Sequence, residues 1–147
     1  MEELDTIFKS CDRLFVQADI DYRDIKEIGL SEDFFDDYNS IRIVNSFLFN
    51  FAKLQDKIGA KLFKKILYEL KEIDSYSIPM IDVLNKLEKL KIIDSTLNWD
   101  RLREIRNILS HEYPINNTER IENIELALDG YLLLKDIYNN IKKELNR

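Results

Sequence analysis

The scarcest residues narrow this chain first. Only three glycines and two prolines occur among 147 residues. Sheet-rich architectures with many tight turns need more of these punctuators, so a many-stranded sandwich or barrel is disfavoured. A single cysteine, Cys11, rules out an internal disulfide framework. Its apolar neighbours repeat with a helical spacing, so we read it as a buried structural thiol and expect a reducing, cytoplasmic setting. The only histidine, His111, is remote from Cys11, and no paired Cys or His spacing suits zinc. Glycine-rich phosphate loops and Gly-x-Ser-x-Gly nucleophile elbows are also missing. No cofactor or metal is expected.

Long hydrophobic runs are lacking as well. No apolar stretch has the length of a membrane span, and the N-terminus is acidic and amphipathic, unlike a secretory signal. No membrane partner is expected. Positive charge is in deficit: the formal net charge is −6. That argues against bulk electrostatic capture of nucleic acid, although a local basic cleft or a basic partner stays compatible with it. The acidic pairs Asp36-Asp37 and Asp19 with Asp21 read as solvated helix edges rather than cation sites. Asn116-Asn117-Thr118 matches a glycosylation acceptor, a coincidence in an intracellular chain.

What the chain does contain is apolar residues at helical intervals, within a composition 45% hydrophobic and 34% charged. Leu4, Ile7, Phe8, Cys11, Leu14, Phe15 and Ala18 mark a first amphipathic helix. Ser31, followed by Glu32 and Asp33, reads as the cap of a second, long helix running from Phe35 through Tyr38, Phe51 and Leu62 to Leu70. Gly59 is expected to bend or break it. After the Ser77-Ile78-Pro79 boundary, Ile81, Leu84, Leu87 and Leu90 mark a third helix. Asn98 or a neighbour caps a fourth, spanning Trp99 to Glu112 and ending before Pro114. A fifth starts at Asn116-Asn117-Thr118 and continues to Leu145. The fold expected is all-α: one domain over residues 1–147, an up-and-down bundle of about five helices.

The fourth helix holds the chemistry. On an ideal wheel of ~100° per residue, Trp99, Leu102, Ile105, Leu109 and Tyr113 share an apolar arc. Arg106 falls inside that arc, and Ser110, Arg103, Asn107 and His111 follow it as a polar stripe. A guanidinium at a core edge requires an anionic partner or good hydrogen bonds. Arg106 offers a planar fork suited to phosphate. An unperturbed imidazole titrates in the range useful for general acid–base work, which makes His111 the candidate base, and Asn107 is its neighbour one turn earlier. A base and a cation suffice to cleave RNA at its own 2′-hydroxyl without a metal. The same residues could equally bind phosphate or end a helix, and the wheel alone does not choose between these roles.

Residues Arg106 to Tyr113, Arg-Asn-Ile-Leu-Ser-His-Glu-Tyr, resemble the Arg-x4-His-x-Tyr motif of the HEPN superfamily, and in particular the HepT-like toxins that are paired with a minimal nucleotidyltransferase antitoxin. The stretches Phe47 to Gly59 and Leu102 to Pro114 share that likeness. The resemblance implies a metal-independent endoribonuclease toxin, with Arg106 and His111 as the active pair and Asn107, Arg103 and Ser110 supporting them or binding substrate. Products would carry cyclic phosphate and 5′-hydroxyl ends. It further implies a homodimer with both motifs at a shared cleft, an RNA substrate, and an antitoxin able to adenylylate Tyr113. Tyr113 as a simple packing residue is an equal reading. Gln55 and Asp56 interrupt an apolar stretch of the long helix and either approach the cleft or serve as surface or interhelical hydrogen-bond groups. Arg101 and Arg103 join Arg106 as a possible positive patch. The alternative function is a non-catalytic helical partner or substrate-binding subunit of a nucleotidyltransferase.

Overall fold

The computed structural model describes residues 3–110 and 116–147, and all its regular structure among these is helical. Helix α1 (Leu4–Ile28) turns Ile7, Phe8, Cys11, Phe15, Ala18 and Ile25 inward, and Cys11 is fully buried, as expected of a structural thiol. The second helix starts later than its apolar spacing suggests. Ser31 opens a single 3₁₀ turn (Glu32–Asp36) and its side chain caps nothing, so Phe35 lies outside the helix. Asp37 is the cap instead: its carboxylate accepts from the Asn39 N–H at 3.1 Å and from Ser40 Oγ at 3.3 Å. Helix α2 (Tyr38–Lys57) begins there, with Tyr38 exposed rather than in the core.

Gly59 marks a change of winding rather than a break. Residues Ile58–Leu62 form one π turn, after which the helix resumes as α3 (Phe63–Glu69). The reason is steric. A Cβ on Gly59 would sit 2.7 Å from Trp99 Cζ2, so the widened turn and the bare glycine together admit the indole. Phe63 packs edge-on against the same ring at 4.7 Å. Trp99 thereby docks the candidate-site helix onto the long one.

Helix α4 (Met80–Lys89) follows Pro79 and buries Val83, Leu84 and Leu87, while Ile81 and Leu90 face outward. Helix α5 (Thr96–Ser110) starts ahead of Trp99. Ser95 Oγ accepts from the Leu97 N–H at 3.1 Å and Glu88 Oε1 from the Thr96 N–H at 3.2 Å, so the capping groups precede Asn98. Helix α6 (Asn117–Glu144) begins where expected, with Asn116 Oδ1 accepting from the Glu119 N–H at 2.9 Å. At its middle Gly130 allows a close approach: a Cβ there would lie 3.0 Å from Phe51 Cζ and 3.1 Å from Ile105 Cδ1. Helices α2, α5 and α6 therefore converge on one line.

A polar ladder absent from the sequence reading joins α1 to α6. Tyr131 donates its hydroxyl proton to Asp19 Oδ1 at 2.6 Å, and Tyr138 does the same to Asp12 Oδ1 at 2.6 Å. Lys135 reaches Asp19 at 2.9 Å and Lys142 reaches Asp12 at 3.1 Å. The two rungs are copies displaced by one heptad, with Phe8-x3-Asp12 and Phe15-x3-Asp19 facing an antiparallel Tyr-x3-Lys pair. Among the described residues no helix is long and apolar enough to cross a membrane.

Candidate functional site

The three converging helices and the 3₁₀ turn leave an open cleft of 630 Å³. Phe51, Val44 and Ile124, all buried, form its apolar floor, and Phe35, Leu48 and Leu109 line its half-buried walls. Arg106 and Ser110 reach it from α5, Asn45 and Gln55 from α2, and Arg120 and Asn123 from α6. Position explains each: along α2, Asn45, Leu48, Ala52 and Gln55 recur at helical intervals, so one face presents polar ends and an apolar middle.

The wheel reading of α5 agrees with its packing. Trp99, Leu102 and Ile105 are buried, and Arg106 is half-buried at their edge. The anionic partner that such a guanidinium requires is Asp56. Both carboxylate oxygens engage the fork: Arg106 Nη2 donates to Asp56 Oδ2 at 3.0 Å, and Nη1 donates to Oδ1. The side chains of both residues are more than two-fifths exposed (43% and 56%), so the pair adds little stability. Its bidentate geometry instead fixes the plane and heading of Arg106. Two of the five guanidinium N–H groups serve Asp56, and the remainder of the fork can serve a ligand.

The other stripe residues part company here. Ser110 lies at the cleft and its hydroxyl donates to the Asn107 carbonyl oxygen at 3.0 Å. Asn107 and Arg103 are exposed and lie outside the lining. Arg103 sits 3.9 Å from Asp100, and Arg101 sits 3.4 Å from Glu104. With Asp56 on Arg106, every arginine of α5 has a carboxylate beside it, so this helix carries balanced rather than surplus positive charge. His111 and Tyr113 fall outside the described residues.

Gln55 is the polar residue of the floor. It is 3% exposed, and its Oε1 has no hydrogen-bond partner among the described residues. An unpartnered buried carbonyl is uncommon in native interiors. Across the cleft, Arg120 sits over the Phe35 ring, its guanidinium carbon 3.8 Å from the ring centroid. Asn45, Arg120 and Asn123 escaped the sequence reading, which had Phe35 only as the start of the second helix. The available signal was the Arg120-x2-Asn123 spacing in the opening turns of α6, which puts both on one face.

Three of the four acidic residues considered for cations have other tasks. Asp37 caps α2, and Asp19 belongs to the tyrosine ladder. Asp21 accepts from Ser46 Oγ at 2.7 Å, and burial raises its carboxyl pKa despite that bond. Among the described residues no group of three or more His, Cys, Asp or Glu is arranged to hold a metal ion. No family model matches the chain, and no curated protein or solved structure matches it either.

Proposed function

We infer that this chain is a metal-independent endoribonuclease toxin working through Arg106 and His111. The observation that carries the reading is the Asp56–Arg106 ion pair at the mouth of the cleft, at the end of the helix from which the sequence runs directly to His111. An oriented guanidinium beside a cleft with an apolar floor suits stabilisation of a crowded phosphate. In this mechanism His111 removes the proton of an RNA 2′-hydroxyl, and the 2′-oxygen forms a bond to phosphorus. The P–O5′ bond breaks, the leaving oxygen takes a proton, and Arg106 balances the charge on the non-bridging oxygens. The ends are a cyclic phosphate and a 5′-hydroxyl. The motif's resemblance further supports a homodimer and a nucleotidyltransferase antitoxin that modifies Tyr113 with a bulky phosphate-bearing group.

The test is cleavage of total RNA by purified wild-type chain, Arg106→Ala and His111→Ala, with a thermal melt of each. Both variants are expected to keep their helical content and lose cleavage. Wild-type cleavage by folded His111→Ala would overturn the assignment, and a wild-type chain that never cleaves but binds a nucleotidyltransferase would point to the non-catalytic partner role.

A further inference from the structure

We propose that the cleft between α2, α5 and the start of α6 is a nucleotide subsite, taking a nucleobase on its apolar floor and the attached phosphate between Arg106 and Arg120. The proposal rests on the ribonuclease reading only for the strand that carries the nucleotide. The binding chemistry stands on the cleft itself. Its 630 Å³ suits a small planar group. The floor of Val44, Phe51 and Ile124 gives an aromatic and aliphatic surface for a ring. Three amides, Asn45, Gln55 and Asn123, line the same space. Amides carry donors and acceptors together without charge, the chemistry that matches base edges.

Gln55 gives the sharpest argument. Its Oε1 is buried and unpartnered, an arrangement that packing alone does not favour, because a leucine of similar size would fill the position without stranding an acceptor. A ligand N–H would satisfy that acceptor. An amide also exchanges its oxygen and nitrogen by a half-turn of its terminal torsion, so Gln55 can meet either kind of base edge. A purely aliphatic ligand would leave the amide stranded, and a bare phosphate would leave the apolar floor empty.

The rim supplies the phosphate chemistry. Phe35 holds the Arg120 guanidinium against its ring, and Arg120, unlike the arginines of α5, pairs with no carboxylate among the described residues. It stands in the first turn of α6, where helix N–H groups add positive potential. Asp56 holds Arg106 on the opposite wall with part of its fork uncommitted. An anionic group carrying a planar, hydrogen-bonding ring satisfies floor and rim together.

The experiment is calorimetric titration of the full chain with each of the four 5′-mononucleotides, with adenosine and with inorganic phosphate, repeated for Gln55→Leu, Arg120→Gln and a control, Asn140→Ala, which lies elsewhere on α6. At least one mononucleotide is expected to bind tenfold or more tightly than both adenosine and phosphate. Gln55→Leu and Arg120→Gln should each weaken it at least tenfold, and Asn140→Ala should leave it unchanged. Gln55→Leu should also melt no lower than wild type, because it removes a stranded acceptor, so weaker binding would not reflect unfolding. Arg120→Gln changes only the rim and keeps the test decisive if Gln55→Leu misfolds. Nucleotides binding no better than phosphate, or equally to folded Gln55→Leu, would overturn the subsite. RNA cleavage measured on the same wild-type preparation separates the two claims: cleavage without nucleotide binding sinks the subsite alone, and binding without cleavage sinks the ribonuclease reading alone.

Discussion

Asp56 and Arg106, fifty positions apart, meet as a two-pronged ion pair that joins α2 to α5 at the mouth of the cleft. The pair is too exposed to matter much for stability, yet it decides where the guanidinium points. Asp56→Asn keeps the shape of the side chain and removes its charge. It should lower RNA cleavage by about 10- to 100-fold, the usual cost of misplacing a positioned group by about an ångström, and change stability by less than about 1 kcal/mol. Cleavage rates set beside denaturant melts check this. An equal loss of folding and activity would instead make the pair a structural strut.

Gly59 makes a second prediction, on the packing that carries α5. A methyl group there would meet Trp99 Cζ2 at 2.7 Å, and the indole it meets is buried, so the clash has to be relieved by a shift within the core. Gly59→Ala should therefore destabilise the fold by about 1–3 kcal/mol, even though alanine is the better helix former. Trp99 is the only tryptophan, so its fluorescence reports the same event directly. A stabilised Gly59→Ala would mean that helix propensity outweighs the clash.

The tyrosine ladder should make stability fall at alkaline pH. Burial first, then the neighbouring carboxylate, raises the pKa of Tyr131 and Tyr138 well above the ordinary phenol value of 10.0. The folded state thus holds the phenolic protons more tightly than the unfolded chain. Their contribution is fully present below the unfolded value near pH 10 and is lost as pH rises above it. Helical circular dichroism should accordingly be lost only as pH rises above about 10, together with the last part of the tyrosinate absorbance, which belongs to the buried pair. The double variant Tyr131→Phe, Tyr138→Phe should lose about 1–3 kcal/mol per hydroxyl at neutral pH, leaving Asp12 and Asp19 short of a donor, and its alkaline transition should be shallower.

Much of this architecture was legible in the apolar spacing, because helices that bury one face must repeat near 3.6 residues. The ends were less legible where two caps competed. Ser31 and Asp37 both precede suitable residues, and only the packed structure shows that Asp37 finds the Asn39 N–H while the Ser31 side chain finds none. Arg106 at the core edge was readable from one wheel, but the identity of its partner was not. That depends on how α2 crosses α5, a tertiary relation that no single helix records. The same holds for Phe35 and Arg120, which meet only because a 3₁₀ turn folds back onto the start of α6. The ladder was readable and missed: Phe-x3-Asp twice in α1 and Tyr-x3-Lys twice in α6, each at heptad spacing, is a written interhelical register.

Charge makes the last prediction. A protein of net charge −6 whose α5 arginines each face a carboxylate cannot hold RNA along an extended basic surface. Binding should concentrate on the cleft, where Arg106 and Arg120 can meet about two phosphate charges. For single strands, log K falls with log salt by about 0.7 per phosphate neutralised, which gives a slope near −1.4 here. A short, uncleavable 2′-deoxy oligonucleotide measured over a range of salt concentrations checks it. Arg120→Gln should flatten the slope by roughly half, whereas Arg101→Gln, on a helix face away from the cleft, should leave it unchanged. A steep slope unaffected by Arg120→Gln would place the nucleic-acid surface elsewhere on the bundle.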